Sequence, residues 1–264
     1  MRYAITLATL LCMSFLATAT AAPFGGPSND ALLVVADSDT ALQSQVRDLL
    51  VAHAVGVRPL DTQIRTLRDQ ITDLLTSSAP VDSAEIMALA QEIFTLRKER
   101  DIADMVYMVE LRALLNSAQR KELAPVEPPA GDLPEPDDLF GDTLGYGRGV
   151  DLAMAQWQRI HAVLDAKSAL LRSLEDLSQA GRAQAAKLLA GRGRVTAAQM
   201  LPLQQEISGL QDQIDGERLA MTIRIRNLLT PAQRAKAALL HRRQVAPHAQ
   251  QASLPVTQDR HPAD

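Results

Sequence analysis

Cysteine, aromatic residues and long apolar runs are scarce in this chain of 264 residues, and each scarcity excludes a class of protein. With Cys12 as the single cysteine, neither an intramolecular disulfide framework nor a cysteine-rich zinc site can form. Aromatic residues make up 3% of the chain, too few for the core of a β-sandwich or barrel. The apolar residues are mainly Ala, Leu, Ile, Val and Met, which favour helices, so we predict an all-α fold.

The chain also lacks an excess of positive charge. Its formal net charge is −4, with both signs interspersed along the sequence. A nucleic-acid-binding protein usually carries a strongly basic patch. We therefore predict no nucleic-acid partner.

The first 22 residues have the features of a secretory signal peptide. Arg2 provides a short positive segment, residues 4–16 are apolar, and small residues at 19–22 give a cleavage site. The apolar run is shorter than the roughly 18 residues that a membrane-spanning helix needs. We expect a periplasmic protein with no membrane span after cleavage and no thiol, because Cys12 leaves with the leader.

What the sequence does contain is an internal duplication. Residues 111–122 and 225–236 read as copies, and the match continues upstream in one register over about forty residues. The clearest equivalents are 114 positions apart: Arg112/Arg226, Leu114/Leu228, Leu115/Leu229, Ala118/Ala232, Gln119/Gln233 and Arg120/Arg234.

Apolar periodicity predicts four helices in the first copy. The first begins at Thr40, and Gly56 and Pro59 should break it before the period resumes in a second helix. The third is a long helix over Asp82–Leu115, whose apolar residues alternate three and four apart, and Ser117–Leu123 is a short fourth helix.

The second copy repeats this plan. Asp151 is predicted to cap its first helix, Pro202 to kink the long helix, and Thr230 to cap the last helix. Composition then sets the boundaries. We predict a signal peptide at 1–22, a flexible lead-in at 23–37, a helical unit at 38–123, a Pro/Gly/acidic linker at 124–150, a second unit at 151–243 and a disordered tail at 244–264.

Each copy carries a helix-start motif. Thr230 can accept a backbone N–H, Pro231 suits the first helical position, and Gln233 can reach back to the capping residue. Asn116 and Gln119 do the same in the first copy, without the proline. A single motif of this kind is an ordinary helix start and predicts no function.

The duplicated motif in an exported helical chain resembles the Spy/CpxP family of periplasmic LTxxQ-motif proteins. Residues 229–233 fit the pattern fully, 115–119 carry Asn116 in place of threonine, 40–43 match in part, and 150–154 depart from it. The resemblance covers both units and implies two tandem four-helix units with long antiparallel helices. They would form either a fused pseudo-dimer cradle or two separate domains.

Charged residues of the long helices give two further expectations. If the long helices pair antiparallel, Glu110 and its equivalent Arg224 could meet; alternatively, both are solvated. Arg97, Glu99 and Arg100 are expected to lie on a solvated helix face.

No catalytic pattern is present, so no enzyme activity, catalytic residue or cofactor is predicted. The five histidines do not recur at the repeat offset, and the chain has no nucleophile elbow, metalloprotease helix or phosphate loop. The resemblance implies an ATP-independent chaperone-like or envelope-stress adaptor protein that binds unfolded or envelope proteins, as a monomeric pseudo-dimer or a homodimer. The client-binding residues are not predicted.

Two alternatives stay open. One is a heavy-metal sensor or metal-buffering protein. Its weak candidate ligands are His241, His248 and His261, whose spacings of seven and thirteen do not suit a helical ligand pair. The other is an inhibitory partner of an envelope stress sensor.

Overall fold

The computed structural model describes residues 9–10, 40–77, 79–122, 142–143, 150–190 and 194–239. These residues form six helices: α1 (Thr40–Thr76), α2 (Ser83–Leu114), α3 (Ser117–Glu122), α4 (Met154–Ala190), α5 (Ala197–Leu228) and α6 (231–239). Two short strands, β1 (Thr9–Leu10) and β2 (Asp142–Thr143), pair in parallel. The all-α prediction is confirmed. The predicted leader, lead-in, linker and tail otherwise lie outside the described residues.

The helix boundaries repeat at the offset found in the sequence. Helices α1 and α4 each have 37 residues, α2 and α5 each have 32, and Met154 follows Thr40 by 114 positions. We call residues 40–122 the first half and residues 150–239 the second half. Each half has two long helices and a short one among its described residues, not the four helices predicted.

The predicted break in α1 is wrong. The helix is continuous from Thr40 to Thr76 and includes Pro59. A proline inside a helix leaves the carbonyl four residues earlier without a donor. That residue is Val55, which is 69% exposed, so water can hydrate its carbonyl while the buried face stays intact.

The starts of α4 and α5 concern two further predictions, the Asp151 cap and the Pro202 kink. Helix α4 begins at Met154, so Asp151 lies outside it and is not the cap. Helix α5 continues through Pro202, and the Thr196 N–H before it donates to Gln199 Oε1 at 2.9 Å. No helix in the described part of the chain is both long enough and apolar enough to cross a membrane.

The molecule consists of two hairpins that cross. Helix α1 packs on α2, α4 packs on α5, and the principal contact between the halves joins α2 to α5. Arg97 reaches Asp212, whereas Asp101, one turn later, reaches Ser208, one turn earlier. The two central helices therefore run antiparallel.

Apolar clusters lie at both ends of this crossing and are related by the same offset. At one end Ile71 and Ile93, near the tip of the first hairpin, pack with Leu219 and Ile223. At the other end the equivalent residues of the opposite halves pack together: Ala185, Ile207, Met105 and Val109. Each hairpin tip thus packs against the central helix of the other half, around an approximate two-fold axis.

Candidate functional site

The repeated motif of the second half forms the joint between α5 and α6. The Thr230 N–H donates to Gln233 Oε1 at 2.8 Å, and the Gln233 N–H donates to Thr230 Oγ1 at 3.3 Å. Leu229 is buried, and Pro231 is the first residue of α6. This is capping-box geometry, which satisfies backbone donors at the helix start.

Gln233 also ties this joint to the chain before α4. Its Nε2 donates to the Asp151 carbonyl at 2.6 Å. Gln156 Nε2 donates to Gln233 Oε1 and to the Leu228 carbonyl, both at 2.8 Å. The equivalent of Gln156 in the first half is Leu42, so the repeat gave no signal for this residue.

In the first half, Asn116 and Gln119 form a similar joint. Asn116 Oδ1 accepts from the Ala118 and Gln119 N–H groups at 2.9 and 3.1 Å, and the Asn116 N–H donates to Gln119 Oε1 at 3.0 Å. Leu115 is buried beside it. Helix capping accounts for the recurrence of the motif without any ligand.

The repeated arginines have a different role, because each binds the tip of the other half. Arg226 Nε donates to the Leu75 carbonyl at 2.9 Å, and its Nη2 donates to the carbonyls of Ser77 and Ala79, each at 2.7 Å. Arg112 Nη2 donates to the Leu189 carbonyl, and Leu189 is the equivalent of Leu75. Both guanidinium groups thus bind carbonyls at the C-terminal end of a helix, where the helix dipole favours a cation.

A layer of charges, buried except for the partly exposed Asp212, occupies the middle of the α2–α5 crossing. Arg97 is 4% exposed, and its Nη1 donates to Asp215 Oδ2 at 2.5 Å while its Nη2 donates to Asp212 Oδ1 at 2.8 Å. Such a two-carboxylate fork suits the fixed planar geometry of a guanidinium. We call Arg97, Asp101, Asp212 and Asp215 the central charge layer.

Further polar groups surround the central charge layer. Asp101 Oδ2 accepts from Ser208 Oγ at 3.1 Å. Asp104, one turn further along α2, lies 2.8 Å from His53 Nε2, and both side chains are buried. Arg100 Nη2 donates to Asp101 Oδ1 at 3.1 Å, and its Nε lies 4.0 Å from Asp104 Oδ2.

Burial and pairing shift the pKa values of these groups in opposite directions. Burial raises the pKa of Asp104 above its ordinary value, although its hydrogen bond to His53 works against this shift. Burial likewise raises the pKa of Asp212 against the pull of Arg97. For Arg97 itself burial would lower the pKa, but Asp215 and Asp212 outweigh it and the pKa is raised.

The expectation that Arg97 and Arg100 are solvated is wrong, although Glu99 is exposed. Arg97 is buried, and the Arg100 side chain is 13% exposed. The sequence contained a partial signal, since Arg100 interrupts the apolar stripe of the long helix. The partners of Arg97 lie more than a hundred positions away, which periodicity within one helix cannot identify.

The second half also carries an exposed apolar stripe on α4. Leu170, Leu177 and Leu188 are 42%, 55% and 40% exposed, and spacings of seven and eleven place them along one helix face. We call these three residues the α4 stripe. Its first two positions correspond to Gly56 and Gln63 in the first half, so the fold itself does not require leucine there.

The described part of the chain contains no ligand set of the kind that the metal hypothesis needs. No group of three or more His, Cys, Asp or Glu side chains there is arranged to hold a metal ion. The candidates His241, His248 and His261 lie outside the described residues.

Comparisons with protein-family models, with curated proteins and with solved structures give no match to this chain.

Proposed function

We propose that this protein is a periplasmic, ATP-independent chaperone-like or envelope-stress adaptor protein, built as a fused pseudo-dimer of two units related to the Spy/CpxP family. It binds apolar segments of unfolded envelope proteins. The observation that carries the proposal is the α4 stripe, an exposed row of leucines whose first two positions are Gly56 and Gln63 in the first half.

Physical arguments support this surface as the client site. Singly scattered exposed leucines are normal on protein surfaces, but aligned ones offer several apolar contacts along one line to an extended or helical segment. Helix α4 has its principal contact with α5 alone, which leaves the stripe accessible. Covering each leucine contributes on the order of 1 kcal/mol, and weak binding of this kind suits reversible capture of unfolded chains.

The test is suppression of the aggregation of a reduced, unfolding client by the purified protein. We expect suppression at near-stoichiometric ratio, without ATP and indifferent to zinc. The variant Leu170→Gln/Leu177→Gln should weaken client binding about thirtyfold, because two apolar contacts of about 1 kcal/mol each are lost. The second change introduces the residue that the first half carries at the equivalent position, Gln63.

The matched control is Val51→Gln/Val55→Gln, which removes two exposed apolar side chains from α1. This variant should suppress aggregation as well as the parent does. An inactive parent would contradict the chaperone proposal, and equal loss in both variants would contradict the assignment of the site to the α4 stripe. Micromolar or tighter zinc binding by an inactive parent would favour the metal alternative.

A further inference from the structure

The central charge layer departs from the two-fold repeat of the rest of the crossing. The helix boundaries, the apolar end clusters and the tip-binding arginines all have equivalents at the offset of 114. Asp101 and Asp215 are also equivalents. The equivalent of Arg97 is Gln211, however, and that of Asp212 is Lys98.

These differences matter for a pair of like halves. In such a pair, each residue of the missing half would be replaced at the crossing by its equivalent from the half that is present. If two second halves crossed in the same geometry, Gln211 would replace Arg97. Four carboxylates, Asp212 and Asp215 of both copies, would then lie together without that cation, and only the Arg182 guanidinium of each copy would remain beside them. Clustered carboxylates in a buried site repel each other and cannot all ionise.

A pair of two first halves is also unfavourable. Lys98 would take the place of Asp212 beside Arg97 of the other copy, so two cations would meet on each side of the axis. Asp101 would lose the hydroxyl of Ser208, because the equivalent residue is Phe94. Only the pairing of a first half with a second half satisfies both arms of the Arg97 fork.

We propose that Arg97 and the Asp212–Asp215 pair determine which surfaces join at the crossing, so that each half pairs with an unlike half and not with a like half of a second copy. The end clusters are apolar in all three pairings and differ mainly in side-chain size, as at Ile71 and its equivalent Ala185, so they distinguish the pairings less sharply than charges do. The charge layer distinguishes the pairings, because like charges repel each other in the two pairs of like halves. A buried ion pair adds little net stability compared with apolar packing, so selectivity is the better physical account of its presence.

The proposal is tested by exchanging the charges in the full chain. Arg97→Asp places a third carboxylate against Asp212 and Asp215, and Asp212→Arg places a second guanidinium beside Arg97. Each single variant should raise the ratio of open to closed molecules, about a hundredfold for Arg97→Asp, since it breaks a buried pair. The double variant Arg97→Asp/Asp212→Arg restores an opposite pair and should recover most of the closed form.

The open form is measured by small-angle X-ray scattering as a larger radius of gyration at unchanged helical circular dichroism. Light scattering against concentration reports any pairing between chains. The control is Arg224→Asp, which makes the same charge change at an exposed position of the other central helix. It should stay closed and monomeric, as the parent should.

Two results would overturn the proposal: an Arg224→Asp variant as open as Arg97→Asp, or a double variant no more closed than the single ones. If Arg97→Asp unfolds completely, helicity replaces the radius of gyration as the measurement. Recovery of helicity in the double variant would then support the proposal, and no recovery would overturn it. The scattering test does not use the aggregation assay, so the result of the scattering test does not depend on the chaperone proposal.

Discussion

Arg226 is 1% exposed and binds backbone carbonyls of the opposite half. A buried cation is costly unless its donors are satisfied, and the carbonyl of Leu75 at the end of α1 has no partner within its own helix. The arginine and the helix end therefore satisfy each other. If the halves separated, the arginine and the carbonyls would lose these hydrogen bonds.

We expect Arg226→Met to lower the free energy of unfolding by about 3 kcal/mol. The buried Leu75 carbonyl loses a hydrogen bond to a charged group, which contributes about 1.5–3 kcal/mol, whereas water can reach the part-buried carbonyls of Ser77 and Ala79. Urea unfolding followed by circular dichroism measures this. The control Arg224→Met removes an exposed arginine from the same helix and should change stability by less than about 0.5 kcal/mol. Equal losses in the two variants would refute a specific role for Arg226.

The sequence identified this residue without indicating its role. Arg112 and Arg226 stood out because they recur, but recurrence alone does not distinguish a cap, a core residue and a binding residue. The acceptor of Arg226 lies 151 positions away in another helix. Of the two alternatives for Glu110 and Arg224, exposure of both residues agrees with separate solvation, because the antiparallel register brings Arg97 against Asp212.

Two glycines show how packing decides the effect of one residue type within a helix. Gly56 lies in α1 and a Cβ there would meet nothing within 4 Å. Gly181 lies in α4, and a Cβ there would be 2.9 Å from Cγ1 of Ile207 in α5. The missing side chain at Gly181 is therefore what allows α4 to approach α5 closely.

Alanine at these two positions should have opposite effects. Gly56→Ala should raise the free energy of unfolding by about 0.5–1 kcal/mol, because alanine restricts the unfolded chain and nothing opposes its methyl group. Gly181→Ala should lower it by about 1 kcal/mol, since overpacking against Ile207 outweighs the gain in helix propensity. Denaturant midpoints of the two variants decide this, and a stabilised Gly181→Ala protein would contradict the packing argument.

At the level of elements, the sequence predicted the ends of helices better than their continuity. The helices predicted over Asp82–Leu115 and Ser117–Leu123 are observed as Ser83–Leu114 and Ser117–Glu122. Gly56 and Pro59 were expected to stop α1, yet both are exposed, so neither disturbs the face that packs on α2. Local propensity gave way to tertiary burial at this point.

The whole molecule is held together by contacts that cross between its halves. Each hairpin tip packs on the central helix of the other half and is capped by an arginine from that half. Neither half can then lose its tip without uncovering apolar surface on the other. The duplication was readable from the sequence, but the crossing was not, because both halves offer nearly the same apolar pattern to any partner.

This arrangement predicts that the two halves unfold in one transition. Ile71 is 1% exposed at the tip of the first hairpin, and Ile71→Ala should cost about 2–5 kcal/mol. Trp157, the single tryptophan, lies in the second half and reports on it by fluorescence. If the crossing couples the halves, the Trp157 transition in Ile71→Ala shifts to lower denaturant by the same amount as the circular dichroism transition. A Trp157 midpoint that stays at the parent value, beside a two-step loss of helicity, would show that the halves unfold independently; Val55→Ala, at an exposed position of the same helix, should move neither signal.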